Sequence, residues 1–471
     1  ILLLFLCSFL GNAAPDSLHP NRVINLPGAP LQPEFPMYSG YLNASLNGNS
    51  SLFYVLVESM RVDPSTAPLL VWFNGGPGGS SLIGFFTENG PYRVTEEDGI
   101  LIYNEFSWNQ YANVLYLEGP VGVGFSINNQ EDITTNDELA ADNNFYALHD
   151  FMTRVHPNYA EKEFYLTGQS YAGSYIPWLS RRILRAIASE ELQNKNFKGF
   201  AIGNPKFDET SRYITTAMAY LTYGLIPQNR SAMIYDSWQK LLKGKKLNRH
   251  HFHKIHKMVH DIYWIFNSSI LYNIAEHCPT AAENNEVFHR VEQGRSYSCY
   301  ASNKMESFLN KLDVQKSLHV IEHQSEVSER WESSNDDLHR KFKWTDDTVP
   351  IYKDIIELVN DTSFRMLIYH GDVDAVLPVA LSVYGTNKIA AENSLADQGY
   401  PPVWHFFGDF AGARTGFLSA SGQVSLDVLT VRGAGHSVPT SLPEQAFQMI
   451  NNFIFTENGE PIDYSKPIRR H

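Results

Sequence analysis

An α/β fold, with a mostly parallel sheet covered by helices on both faces, is predicted from three observations. Short apolar runs of strand length alternate with helical patterns along the chain. Two of these runs stop at glycine-rich turns: Leu69–Phe73 leads into Asn74-Gly-Gly-Pro-Gly-Gly, and Phe164–Thr167 leads into Gly168-Gln-Ser-Tyr-Ala-Gly. Two later runs, Arg365–Tyr369 and Val428–Arg432, are followed by acidic and histidine-bearing turns. Continuous apolar runs, rather than alternating ones, are what strands buried on both faces require.

Taken in order, Ile1–Phe9 is almost wholly apolar, and Gly11-Asn-Ala-Ala14 supplies small residues before Pro15. This reads as the core and cleavage zone of a secretory leader over residues 1–14. A buried N-terminal strand is the competing reading. The run is too short for a bilayer, which needs about 20 apolar residues, and no later stretch qualifies. Strands are expected at Ser51–Ser59, Leu69–Phe73, Val114–Leu117, Phe164–Thr167, Phe197–Ile202, Arg365–Tyr369 and Val428–Arg432. Leu139, Phe145, Leu148, Phe151, Met152 and Val155 recur at helical spacing until Pro157, predicting a helix over 136–155.

The 471 residues would fill about three average domains, but no linker or repeat divides them. One core over 15–208 and 306–471, interrupted by a mostly helical insertion over 209–305, accounts for the length. Within the insertion, Asn248-Arg-His-His-Phe-His-Lys-Ile-His256 groups His250, His251, His253 and His256. No cysteine or carboxylate completes a metal set there, so a solvated basic helix face is the reading, with no metal.

The chain carries 51 Asp and Glu against 37 Lys and Arg. That balance excludes nucleic-acid binding driven by phosphate neutralisation. Three cysteines exclude a disulfide scaffold. With the leader and Cys7 removed, Cys278 and Cys299 remain, and in an oxidising compartment they are expected to pair. That would contribute about 3 kcal/mol by constraining the unfolded chain. Asn43, Asn49, Asn229, Asn267 and Asn360 each begin an Asn-x-Ser/Thr triplet, the acceptor pattern for glycosylation.

Ser170 stands at the centre of Gly168-Gln-Ser-Tyr-Ala172, a strand-to-helix turn that needs small residues two places either side of the nucleophile. The glycine-rich loop after Leu69–Phe73 suits an oxyanion hole, because glycine lets the backbone approach a substrate oxygen closely. Gly76 and Tyr171 are the expected N–H donors. A phosphate-cradling loop is excluded because no Gly-Lys-Ser/Thr follows. Asp372 or Asp374 would orient an imidazole, and spacing does not separate them. His436 would be the general acid and base. The order Ser, Asp, His along the chain is that of the α/β-hydrolase fold.

These segments, with Pro120-Val-Gly-Val-Gly-Phe-Ser126, Asp313-Val-Gln-Lys-Ser-Leu-His-Val320 and Val431-Arg-Gly-Ala-Gly-His-Ser-Val-Pro439, resemble the serine carboxypeptidases over nearly the whole chain. The resemblance implies an α/β-hydrolase core with a helical cap, a Ser170–Asp374–His436 triad, an acyl-enzyme intermediate and removal of single C-terminal residues. No cofactor is implied. The substrate would be a peptide or protein C-terminus, its carboxylate held by Asn74, Gly75, Glu88 and the residue before the nucleophile. That residue is Gln169, where the family usually has Glu. Gly79 replaces a family cysteine, and Ser437 stands where the family often has Met or an acid. Acyl transfer on the same triad and a non-catalytic protective role, both known in the family, are the alternatives. The resemblance implies a lysosomal or extracellular location and leaves open whether the chain forms a homodimer.

Overall fold

A computed structural model describes residues 19–29, 35–95, 99–129, 135–266, 268–276, 301–322, 329–359, 363–457 and 460–468. The predicted leader, Cys278, Cys299, Asn267 and Asn360 lie outside these residues. The α/β-hydrolase architecture expected from the sequence is present. The central six strands run parallel, in the spatial order Asn113–Leu117, Leu69–Phe73, Phe164–Gln169, Phe197–Gly203, Phe364–Gly371, Val424–Val431. Antiparallel strands flank them, Ser50–Val57 and Met37–Asn43 on one side and Asp409–Leu418 on the other. Ser50–Val57 is the expected run Ser51–Ser59, while Met37–Asn43 and Asp409–Leu418 make the sheet broader than the seven predicted runs implied.

Strand alternation divides the core between the two faces. Leu69, Val71 and Phe73 pack with Phe145, Leu148, Ile176, Leu179 and Tyr352. Leu70 and Trp72 point the other way, toward Phe85, Trp108, Phe308 and Met449. Both faces of the parallel strands are therefore dry, which explains their uninterrupted apolar sequences.

The helix expected over 136–155 is α-helical over Asp137–Asp150 and ends in a wider π-type turn, Phe151–Val155. Asn136 caps it by accepting from Leu139 N at 2.9 Å. Leu139 itself is 42% exposed. Nine residues before Leu148, it sits half a turn out of phase with the buried stripe.

Residues 209–266 and 268–276 hold four α-helices, Glu209–Thr222, Ser231–Leu242, Arg249–Ile265 and Ser268–Tyr272. They share a small separate core of Tyr220, Ile226, Ile234, Ile255, Val259, Ile262 and Leu271, which meets the loop after Phe364–Gly371 at Ala375. Asn43, Asn49 and Asn229 are exposed. Among the described residues no helix is long and apolar enough to cross a membrane, and no cluster of three potential metal ligands occurs.

Candidate active site

The residues singled out for chemistry gather at the carboxyl ends of adjacent parallel strands, where an open α/β sheet leaves a crevice. Asn74, Gly75 and Gly76 follow Leu69–Phe73, Ser170 follows Phe164–Gln169, Asp374 follows Phe364–Gly371, and His436 follows Val424–Val431.

Ser170 has φ +64°, a left-handed conformation, between its strand and the helix Ala172–Ala188. Its neighbours must be small, as the turn demands. A Cβ on Gly168 would lie 2.4 Å from the Phe73 carbonyl oxygen, and one on Gly173 would lie 2.6 Å from that of Lys206. Two backbone bonds fix the turn: Ser170 N donates to Gly203 O at 2.9 Å, and Lys206 N donates to Ser170 O at 3.1 Å. Gly75 packs directly on the turn, since a Cβ there would lie 2.5 Å from Tyr171 N. Gly76, at φ +125°, occupies a conformation that favours glycine.

The two aspartates of Gly371-Asp-Val-Asp have different surroundings. Asp372 Oδ1 accepts from Gly433 N. Asp374, only 1% exposed, fills all its acceptor positions. Its Oδ2 meets His436 Nδ1 at 2.6 Å and accepts from Asn204 Nδ2 at 2.8 Å, while Oδ1 accepts from the Val376 and Leu377 N–H groups. Asn204 was not anticipated, although its place at the end of the predicted strand Phe197–Ile202 was a usable signal.

A cleft of about 340 Å³ is lined by Ser170, His436, Asn74, Gly75, Gly76, Gln169 and Ser437. Behind it, Glu88 Oε1 accepts from Asn74 Nδ2 at 2.8 Å and from Gln169 Nε2 at 3.0 Å. Gln169 Nε2 also donates to Ser437 Oγ at 2.9 Å. Asn74 is itself held, with Oδ1 accepting from Trp72 Nε1 and Gly84 N. Burial pushes the Glu88 carboxyl up to about 7, against the Asn74 hydrogen bond, the neighbouring His436 and Arg93, and the Gln169 bond, which all lower it. Glu88 Oε2 and Gln169 Oε1 are buried without a hydrogen-bond partner among the described residues.

The end of the short helix Ser268–Tyr272 clamps the loops that bear Asp374 and His436, a relationship no local pattern announced. Tyr272 O accepts from His436 N at 2.6 Å, and Leu271 O accepts from Ala375 N at 2.9 Å. The Tyr272 and His436 rings lie 4.7 Å apart.

Residues 27–456 match the family described as serine carboxypeptidase. The chain belongs to the serine carboxypeptidase family. As a serine carboxypeptidase it is a hydrolase of the exopeptidase class. A Caenorhabditis elegans relative, serine carboxypeptidase ctsa-4.1, is 32% identical over 100% of this chain and 99% of its own length. Lysosomal protective protein of Mus musculus is 29% identical over 98% of each chain. The crystal structure of Kex1(delta)p, a prohormone-processing carboxypeptidase from Saccharomyces cerevisiae, superposes with a TM-score of 0.71 at 17% identity, covering 92% of this chain and 95% of that one. It is a likeness of fold.

Proposed function

We propose that this serine carboxypeptidase releases single C-terminal residues through an acyl-enzyme on a Ser170–His436–Asp374 triad. The observation that carries the reading is the buried Asn74–Glu88–Gln169 cluster beside Ser170 and His436 at one cleft. An endopeptidase has no use for a polar end wall; an exopeptidase needs one to grip the terminal carboxylate.

An ionised aspartate can only accept hydrogen bonds. Asp374 therefore fixes the proton on His436 Nδ1 and leaves Nε2 as the base. Nε2 takes the Ser170 hydroxyl proton as Oγ attacks the last peptide carbonyl, and the Gly76 and Tyr171 N–H groups receive the oxyanion. Each such donor is worth about 3 kcal/mol in the transition state. The protonated His436 then gives its proton to the leaving amine, releasing the terminal residue and leaving an ester on Ser170. Water, deprotonated by His436, hydrolyses that ester and regenerates the serine.

Asn74 Nδ2 and Gly75 N can donate to the substrate carboxylate, and Glu88 joins them below about pH 7, where its buried carboxyl is protonated and its Oε2 has no other partner among the described residues. Gln169 completes the wall without adding a charge. The name of the mouse relative supports passage through the secretory route. The reading is tested by release of the last residue from a blocked peptide, compared with the same peptide ending in an amide. The acid should be cleaved with a KM at least about tenfold lower. Equal KM values would remove the carboxylate site.

A further inference from the structure

The His-rich stretch finds no part in the chemistry above, yet its charge is unlike the rest of the chain. Residues 237–260 hold seven of the 37 Lys and Arg, five of the 17 His, and none of the 51 Asp and Glu. Its main element is the helix Arg249–Ile265, capped by Asn248, whose Oδ1 accepts from His250 N and His251 N.

One stripe of that helix, Arg249, His253, Lys257, His260 and Trp264, recurs at intervals of three and four, and all five residues are exposed. The buried stripe, Ile255, Val259 and Ile262, faces the insertion core instead. Trp264 is 71% exposed, although its indole Nε1 donates to His260 Nε2 at 3.0 Å. Lys257 pairs with Asp261 at 2.7 Å. Lys254, also exposed, borders this stripe as the helical neighbour of Lys257 three residues on, and neither it nor Arg249 has a carboxylate partner among the described residues.

The stripe also has a direction. Its C-terminal end, His260 and Trp264, lines a second cavity of about 590 Å³ that Ser170, Gly76 and Tyr171 also line. That cavity shares Gly76, Ser170 and Tyr272 with the first cleft and includes none of Asn74, Glu88 and Gln169. It is where the acyl part of a peptide would lie. From Trp264 the helix runs about 15 Å back to Lys254 and about 22 Å to Arg249 at 1.5 Å per residue. An extended peptide advances about 3.3 Å per residue. A chain leaving this cavity along the helix would meet these cations about four to seven residues upstream.

We propose that this stripe is an extended subsite that selects peptides carrying acidic side chains about four to seven residues beyond the acyl-side cavity. It rests on the carboxypeptidase reading for the position of the scissile bond. The exposed aromatic at the mouth gives an apolar foothold, and the cations beyond it attract the acidic segment at distances that salt screens. A membrane surface is the competing occupant of a basic helix with an exposed Trp. The stripe's opening into the Ser170 cavity favours the peptide.

The test uses blocked ten-residue peptides ending in the same two residues, with Glu, Gln or Lys at the upstream positions. At low salt and pH 7, kcat/KM should rank Glu above Gln above Lys, with Glu over Gln by at least about threefold. The ratio should fall to near one in 0.5 M NaCl, and also in Arg249→Gln/Lys254→Gln/Lys257→Gln. Binding of fluorescent versions to Ser170→Ala, read by anisotropy, should give the same ranking without requiring turnover. If no peptide is cleaved, the carboxypeptidase reading fails and the binding ranking still decides the subsite. Equal binding of the three peptides, or an unchanged ranking in the triple variant, overturns it. Salt-sensitive sedimentation with phosphatidylserine vesicles, lost in the triple variant while the peptide ranking persists, would assign the stripe to a membrane.

Discussion

Asn204 donates to the same oxygen of Asp374, Oδ2, that meets His436 Nδ1, at 2.8 Å and 2.6 Å respectively. Its own Oδ1 accepts from Gly371 N at 3.1 Å, and its backbone is left-handed at φ +42°. One side chain thus ties the ends of two neighbouring strands to the aspartate. Asn204→Gly keeps that backbone conformation while removing the amide. We expect kcat to fall about tenfold with KM changed less than twofold, since a hydrogen bond to a charged group is worth about 1.5–3 kcal/mol. A variant with wild-type kcat would reduce Asn204 to a fold residue.

The clamp from Tyr272 makes Gly435 a sensitive position. A Cβ on Gly435 would lie 2.6 Å from both Tyr272 O and Asn273 Cβ. Gly435→Ala must therefore move the loop that bears His436, or the Tyr272 segment that holds it. Steady-state kinetics should show a loss of at least about tenfold in kcat, with circular dichroism unchanged. Undiminished turnover would mean that the clamp does not set the imidazole.

Gly75 is the second position where space decides the outcome. Gly75→Ala would bring a methyl 2.5 Å from Tyr171 N and 2.8 Å from Ser170 Cβ. It displaces a proposed oxyanion donor and the nucleophile together. A fall in kcat/KM of at least about 100-fold is expected, and a loss under threefold would place the oxyanion hole elsewhere.

Glu88 sets the expected pH dependence of carboxylate binding. Its pKa is raised to about 7, so it is neutral and able to donate below that pH, and charged and repulsive above it. KM for peptides should stay level up to about pH 7 and then rise, by up to about tenfold per unit. Gln169→Glu places a second carboxyl beside it. Two close carboxyls carry one negative charge between their two ionisations. The neutral site would then survive only at more acid pH, and KM should begin rising at least about one unit lower. C-terminal amides, having no carboxylate, should show neither limb. Identical KM profiles for wild type and Gln169→Glu would sink the account of Gln169.

Much of this was legible from local sequence, for physical reasons. Buried parallel strands leave apolar runs, and a nucleophile on a tight turn leaves small residues around it. Leu69–Phe73 and Gly168–Gly173 carried both signals. The flanking strands Met37–Asn43 and Asp409–Leu418 escaped notice because Ser39, Gly40 and Asn43 interrupt the first and Gly412, Arg414, Thr415 and Gly416 the second, so neither is a continuous apolar run. Asn204 and Tyr272 act through contacts with residues more than 150 positions away, which no window on the sequence contains. Asp372 and Asp374 differ only in what surrounds them, so spacing could not separate them. Glu88 was reached through resemblance alone, since an isolated Glu in Phe85-Phe-Thr-Glu-Asn gives no pattern to read.

The central claim is most directly tested by counting C-terminal residues released from a blocked peptide by wild type and by Ser170→Ala. One free amino acid per turnover from wild type, falling at least about 1,000-fold in the variant, is the predicted result. Comparable release by Ser170→Ala, or acyl transfer to an added acceptor with no hydrolysis by wild type, would contradict it.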